Sequence, residues 1–322
     1  MSEPSNTTQN NPERRRYLAA LARAYYLEER SKVEIAKEFG ISRFQVAKHL
    51  QEAREIGVVT ITIESTRSRD DQGLAAAVGE ALGIEAIVVP APRDDDRRAV
   101  MGRAALSYVD RLARPGMRIG VSWSRTLDAA AEFVPALPRC TVIQLAGVLR
   151  IDETIRTSAL FDRLGHNADV TLRPLYAPFL VTAADTASDL KALPEITDTL
   201  DAADQLDLAL VAVGAWGPGQ STLWEKCSEQ DRDEADAAGA VAEVSGRLFD
   251  RGGTAVPTLD DRIIAVSAEQ LRRATCTVAV AYGAERAEAV AAAAAAGVVD
   301  VAIVDTDLAE TLLAGPGAGR EA

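Results

Sequence analysis

Between residues 31 and 64 the apolar positions recur at helical spacing in two short blocks and then give way to an unbroken β-branched run. Val33, Ile35, Ala36, Phe39 and Ile41 form the first stripe, and Val46, Ala47, Leu50 and Ala53 the second. A period near 3.6 predicts two helices that bury these faces against each other. Ser31 with Glu34, and Ser42 with Gln45, are spaced as capping boxes, so the sequence marks two helix N-termini. Gly40 between them leaves a short turn, the spacing of a helix-turn-helix. Gly57 ends the second helix, and the run from Val58 to Ile63 predicts a strand, the start of a wing. A preceding helix is predicted from about residue 14 to 28, with Tyr17, Leu18, Leu21, Ala22, Tyr25 and Tyr26 as its buried stripe. A winged helix-turn-helix over 13–64 implies double-stranded operator DNA as partner. Its candidate contacts are Ser31, Ser42, Arg43, Phe44, Gln45, Lys48 and His49, of which Arg43, Gln45, Lys48 and His49 are expected to present donors outward. A helical hairpin inside an ordinary bundle would show the same caps and periodicity, and that is the competing reading.

The rest of the chain alternates between short β-branched runs and helical stretches. Strands are predicted at 86–89, 118–121, 142–145, 208–213, 263–266, 277–281 and 301–304. Helices are predicted at about 72–82, 97–113, 125–136, 152–166, 187–203, 230–239, 268–273, 284–296 and 307–314. This order defines the α/β class, a doubly wound domain with a mainly parallel sheet over 74–316. The charged stretch 65–73 reads as a linker, and the polar ends 1–12 and 317–322 as tails without structure.

Charge changes the picture in one place. The net charge of −13 argues against a nucleic-acid partner, but residues 1–69 carry twelve Lys/Arg and nine Asp/Glu, so the acid lies outside the helical module. A surplus of +3 is weak for one copy, because phosphate neutralisation supplies much of DNA affinity, so several copies are expected to act together. Cys140, Cys227 and Cys276 fit no metal-ligand spacing, and an odd cysteine count with no signal peptide fits a reducing cytoplasm. No run approaches the ~20 apolar residues of a membrane helix. No cofactor and no metal is expected.

Ligands of doubly wound sheets bind beyond the carboxyl ends of the strands. The first such junction, Gly120 to Leu127, turns a strand into a helix through Ser122, Ser124, Arg125 and Thr126, a possible anion cradle or an ordinary N-cap. The second follows Gln144 with Gly147. The third, Asp260-Asp261-Arg262, could bind sugar hydroxyls or supply an acid and a base, or could be a solvated turn. The fourth places Arg286 after Gly283, where a guanidinium could fork onto a phosphate or lie in solvent.

With these segments in order, helix-turn-helix, GVSWSRTL, VIQLAGV, LYAPFLV, GRLFDRGG, TLDDRIIAVS and AYGAERAEAV, the chain resembles the SorC/DeoR-type sugar-binding transcriptional regulators from about Tyr17 to Leu313. The resemblance implies an effector domain similar in fold to glucosamine-phosphate deaminase and ribose-phosphate isomerase, a phosphorylated sugar as effector, tetrameric assembly and control, commonly repression, of a carbohydrate operon. It further implies Ser122, Ser124, Arg125 and Thr126 as phosphate loop. Gln144, Gly147, Asp260, Asp261, Arg262 and Arg286 would complete the effector site. The sequence departs from the family where Gly147-Val148 replaces a glycine pair and Ala242-Glu243 replaces Gly-Asp, at positions that bear on which sugar is bound. The alternative is a sugar-phosphate isomerase or deaminase carrying a helical domain. Such an enzyme would need the Asp260/Asp261 pair as acid and base, since His166 sits in an apparent helix end.

Overall fold

The computed structural model describes residues 12–26, 28, 30–55, 58–59, 69–93, 96–149 and 159–315. Outside them lie the expected tails except Pro12, the wing strand beyond Val59, and the first part of the helix expected at 152–166. The chain divides into two compact units, Met1–Thr66 and Arg67–Ala322.

The first unit holds α1 (Pro12–Tyr26), α2 (Lys32–Phe39) and α3 (Arg43–Glu55). Both capping boxes form. Ser31 N–H donates to Glu34 Oε2 at 2.8 Å and Ser42 N–H to Gln45 Oε1 at 2.8 Å, while the two serine hydroxyls accept from the Glu34 and Gln45 amides. Gly40 closes α2 with φ of 64°, a left-handed conformation that glycine adopts without a Cβ penalty. Leu18, Leu21, Ile35, Val46, Leu50 and Ala53 make the core. Val33, expected within it, is 65% exposed, because its position in the first turn of α2 points away from α1 and α3.

The second unit is built on β1 (Glu85–Val89), β2 (Arg118–Val121), β3 (Cys140–Gln144), β4 (Val170–Arg173), β5 (Leu208–Ala215), β6 (Ala240–Val244), β7 (Arg247–Asp250), β8 (Ala255–Val256), β9 (Thr277–Val280) and β10 (Val301–Asp305). Seven strands run parallel in the order β1-β10-β9-β5-β2-β3-β4. The helices are α4 (Arg69–Leu82), α5 (Arg97–Leu112), α6 (Arg125–Ala129), α7 (Ala159–Leu164), α8 (Ala184–Lys191), α9 (Pro194–Ala202), α10 (Thr222–Lys226), α11 (Glu229–Ala237), α12 (Ala268–Arg273), α13 (Ala287–Ala295) and α14 (Thr306–Ala314). Residues 69–73, expected in the linker, form the first turn of α4.

Alternation along the strands feeds two cores. Ala302 and Val304, Ala279, and Val211 and Val213 pack with α4, α13 and α14, whereas Val301 and Ile303, Val278 and Val280, and Leu208 and Leu210 pack with α5, α6 and α7. A sheet covered on both faces accounts for strands that are apolar throughout. Beyond Ala212, β5 leaves its parallel partner and pairs antiparallel with β6, which carries β7 and β8. The strand expected at 263–266 is absent. Its amides are divided between neighbours, Ile264 N–H bonding Phe179 O at 2.9 Å and Val266 N–H bonding Leu145 O at 2.9 Å. These residues make isolated antiparallel bridges, Ile263 with Leu180 and Ala265 with Ala146, and are buried past the end of β3, which explains their apolarity.

Candidate functional site

From the centre of the sheet β2, β3 and β4 progress toward one edge, and β5, β9 and β10 toward the other. The strand order therefore reverses between β2 and β5, where an open α/β sheet parts its loops. An open cleft lies there.

Ser122, Ser124, Arg125 and Thr126 line it from the end of β2, Gly147 from beyond β3, and Arg286 from beyond β9. Ser122 is buried and its hydroxyl accepts from Ser245 Oγ at 2.9 Å. Ser124 caps α6, its Oγ accepting from Leu127 N–H at 3.0 Å. Between them Trp123 Nε1 donates to Asp128 Oδ2 at 2.9 Å, which steadies the turn. A Cβ on Gly147 would stand 2.6 Å from Ala177 O, so only glycine allows that close approach.

Three arginines converge on the cleft. Arg125 Nη2 reaches Gly219 O at 3.5 Å and Arg98 Nε donates to Tyr282 Oη at 3.1 Å. Arg286 is not a solvated surface side chain: it is 11% exposed, its Nη1 donates to Tyr282 O at 2.7 Å and to Glu285 Oε1 at 2.5 Å, and its guanidinium lies 5.0 Å from the Tyr282 ring centroid.

Several lining residues carry no strand-end signal in the sequence. Ser245 (φ 51°) and Gly246 (φ 85°) form the tight β6–β7 turn, both left-handed as a two-residue hairpin turn requires. Glu243, the penultimate residue of β6, accepts from Gly246 N–H at 2.6 Å and from Ser221 Oγ at 3.3 Å. Burial pushes this carboxyl above the usual glutamate range. Gln220 also lines the cleft, with an Oε1 that has no hydrogen-bond partner among the described residues.

Four expected effector residues are elsewhere. Gln144 Nε2 donates to Ala146 O at 2.8 Å and its Oε1 accepts from Leu175 N–H at 3.2 Å, so its amide ties two chain segments together. Asp260 accepts from Arg247 Nη1 at 2.9 Å. Arg262 pairs with Asp231 at 2.5 Å, holding that carboxyl below the usual aspartate range, and lies 3.8 Å from Asp261. None of the four lines the cleft.

On α3, Arg43, Phe44, Gln45 and Lys48 are exposed. His49 is not, as expected, part of that outward face. Its side chain is 16% exposed and packs edge-on to Tyr17, with Nδ1 2.9 Å from Arg14 Nη2 and 3.3 Å from Glu52 Oε2.

The family model described as "Putative sugar-binding domain" matches residues 66–314, and the chain belongs to this sugar-binding family. It is 28% identical over 308 residues to the transcriptional regulator YjhU of Escherichia coli K12, covering 90% of this chain and 92% of that one. It is 27% identical over 302 residues to the deoxyribonucleoside regulator of Bacillus subtilis 168, covering 91% and 95%. The crystal structure of the full-length sorbitol operon regulator of Klebsiella pneumoniae superimposes with a TM-score of 0.73 at 22% identity, over 92% of this chain and 98% of that one. Relatives that match along nearly the whole chain are regulators, and the chain is a transcriptional regulator of this class rather than an enzyme. Among the described residues no helix is long and apolar enough to cross a membrane.

Proposed function

We propose that a phosphorylated sugar occupies the β2/β5 cleft and controls binding of α3 to operator DNA in a carbohydrate-metabolism operon, with repression as the uninduced state. The observation that carries this reading is the charge of the lining. Arg98, Arg125 and Arg286 converge there, and the carboxylate among the described lining residues, Glu243, is displaced toward its neutral form. A cleft so charged favours an anionic ligand, and the hydroxyls of Ser122, Ser124, Thr126 and Ser221 suit a polyol carrying it. Ser124, Arg125, Thr126 and Arg286 are assigned to the phosphate, and Glu243 and Gln220 to sugar hydroxyls. The resemblance adds a wing after α3, a fold kinship of the second unit with sugar-phosphate isomerases and deaminases, and a tetramer. The small positive surplus of the first unit favours several copies bound at once.

The test is a thermal-shift screen of matched free and phosphorylated pentoses, hexoses and polyols, because a ligand bound only to the folded state raises its apparent stability. A phosphorylated compound should raise the melting temperature and release the protein from its operator. A response to the free sugar alone would replace the phosphate assignment with a neutral effector.

A further inference from the structure

The first turn of α3 carries a feature that charge does not account for. Phe44 is 73% exposed between Arg43 and Gln45, and the Arg43 guanidinium lies 5.0 Å from its ring centroid. An outward phenyl ring here contributes nothing to the three-helix core, which closes through Ile35, Val46 and Leu50 on other faces. Gln45, the residue expected to read bases, has its Oε1 engaged by Ser42 N–H at 2.8 Å in the capping box. Reading adenine in the major groove needs the amide oxygen and nitrogen together, and the capping bond occupies one of the two acceptor positions of Gln45 Oε1 and ties the amide to the start of the helix. The N-terminal residues of a recognition helix are those that reach base edges, and the apolar group on a base edge in the major groove is the thymine C5 methyl.

We propose that Phe44 determines operator specificity by packing on a thymine methyl, with Arg43 fixing the ring and supplying a donor beside it. This rests on α3 binding DNA. Arg43 and Lys48, both exposed on the same helix, make a polyanion the partner of this face rather than an apolar protein surface.

The experiment uses the full-length protein and a pool of random duplexes, from which the preferred sequence is selected. Each thymine of that sequence is then replaced singly by deoxyuridine, which lacks only the methyl group. At the contacted thymine the replacement should weaken binding about fourfold, the loss expected from one buried carbon group. Phe44→Ala should bind weakly and be indifferent to the replacement, whereas Phe44→Leu, which keeps an apolar side chain, should retain the sensitivity. Indifference of the parent protein at every thymine overturns the proposal, as does a methyl effect that persists in Phe44→Ala. A changed sedimentation coefficient with unchanged duplex affinity would assign Phe44 to contact between copies instead. If no sequence is enriched at all, the DNA reading of α3 falls and this inference with it, whereas methyl-independent but sequence-selective binding removes this inference alone.

Discussion

The junction after β2 and the loop at 260–262 look alike in sequence, since each clusters charged or hydroxyl side chains next to a strand-like run. In the fold they are opposites. Around Asp260 the charged side chains are paired internally: Arg247 donates to Asp260 and to the carbonyls of Val266 at 2.8 Å and Ala265 at 3.0 Å, and Arg262 is paired with Asp231. Around Ser124 and Arg125 they border a cavity, with a 3.5 Å contact from Arg125 and the unpartnered Gln220 oxygen close by. Buried polar groups that find all their partners within the chain hold it together; groups left with hydrogen-bonding capacity toward an opening can take a ligand.

The comparison breaks most visibly at Arg247, which is 6% exposed. Arg247→Ala strands two carbonyls and Asp260, and is expected to cost about 3 kcal/mol, or roughly 6–12 °C of melting temperature in a domain of this size. Effector affinity of the folded fraction should not change; a variant that melts like the parent yet fails to respond to effector would reverse the assignment. Next comes Arg286→Ala, which removes a charge-assisted contact to the proposed phosphate and should weaken effector binding about 10- to 100-fold. Operator affinity without effector should stay at the parent level, and an unshifted release titration would remove Arg286 from the phosphate site. Asp261→Asn is its control, exposed and outside the cleft, with no expected shift in that titration.

Arg262→Ala tests the internal ion pair through pH. Asp231 has its folded pKa lowered by Arg262, so the stability it contributes is present above the ordinary aspartate range and is lost as pH falls through the depressed value. Near neutrality the variant should be less stable by about 1.5–2 kcal/mol, and in chemical denaturation the two proteins should converge in acid. A constant gap at all pH values would mean that the loss is packing alone. The smallest effect is expected at Glu243. Its folded pKa is raised, so its contribution is complete below the ordinary glutamate range and is lost as pH climbs toward the folded value. Glu243→Gln should flatten that decline with rising pH without abolishing effector binding; an unchanged pH profile would place the decline elsewhere.

What the sequence reveals follows from where side chains are buried. β1, β2, β3, β5, β9 and β10 are readable to within about two residues because strands covered on both faces are apolar throughout. β4 is not, since Val170-Thr171-Leu172-Arg173 lies at an edge and only half its positions face protein. Nor is β6, whose Ala-Val-Ala-Glu-Val favours no one element; the Ser245-Gly246 turn was its available signal. The cleft divides in the same way. Ser122 to Thr126 follow a legible strand, whereas Glu243, Ser221 and Arg98 arrive from a hairpin, a loop and a helix that only the tertiary fold brings together. The faces of Val33 and His49 were misread because a short helix leaves its first turn and its flank to be settled by α1.

The pairing of β1 with β10 sets the timetable of synthesis. Glu85 to Val89 align with Val301 to Asp305, more than 200 residues downstream, which a ribosome takes roughly 10–40 s to add at about 5–20 residues per second. Throughout that interval β1 has no partner on its β10 side, while α1, α2 and α3 already hold every residue of their own core. The nascent chain is thus competent in its helical unit before its cleft can exist, and chaperones should engage it chiefly through the waiting apolar strand.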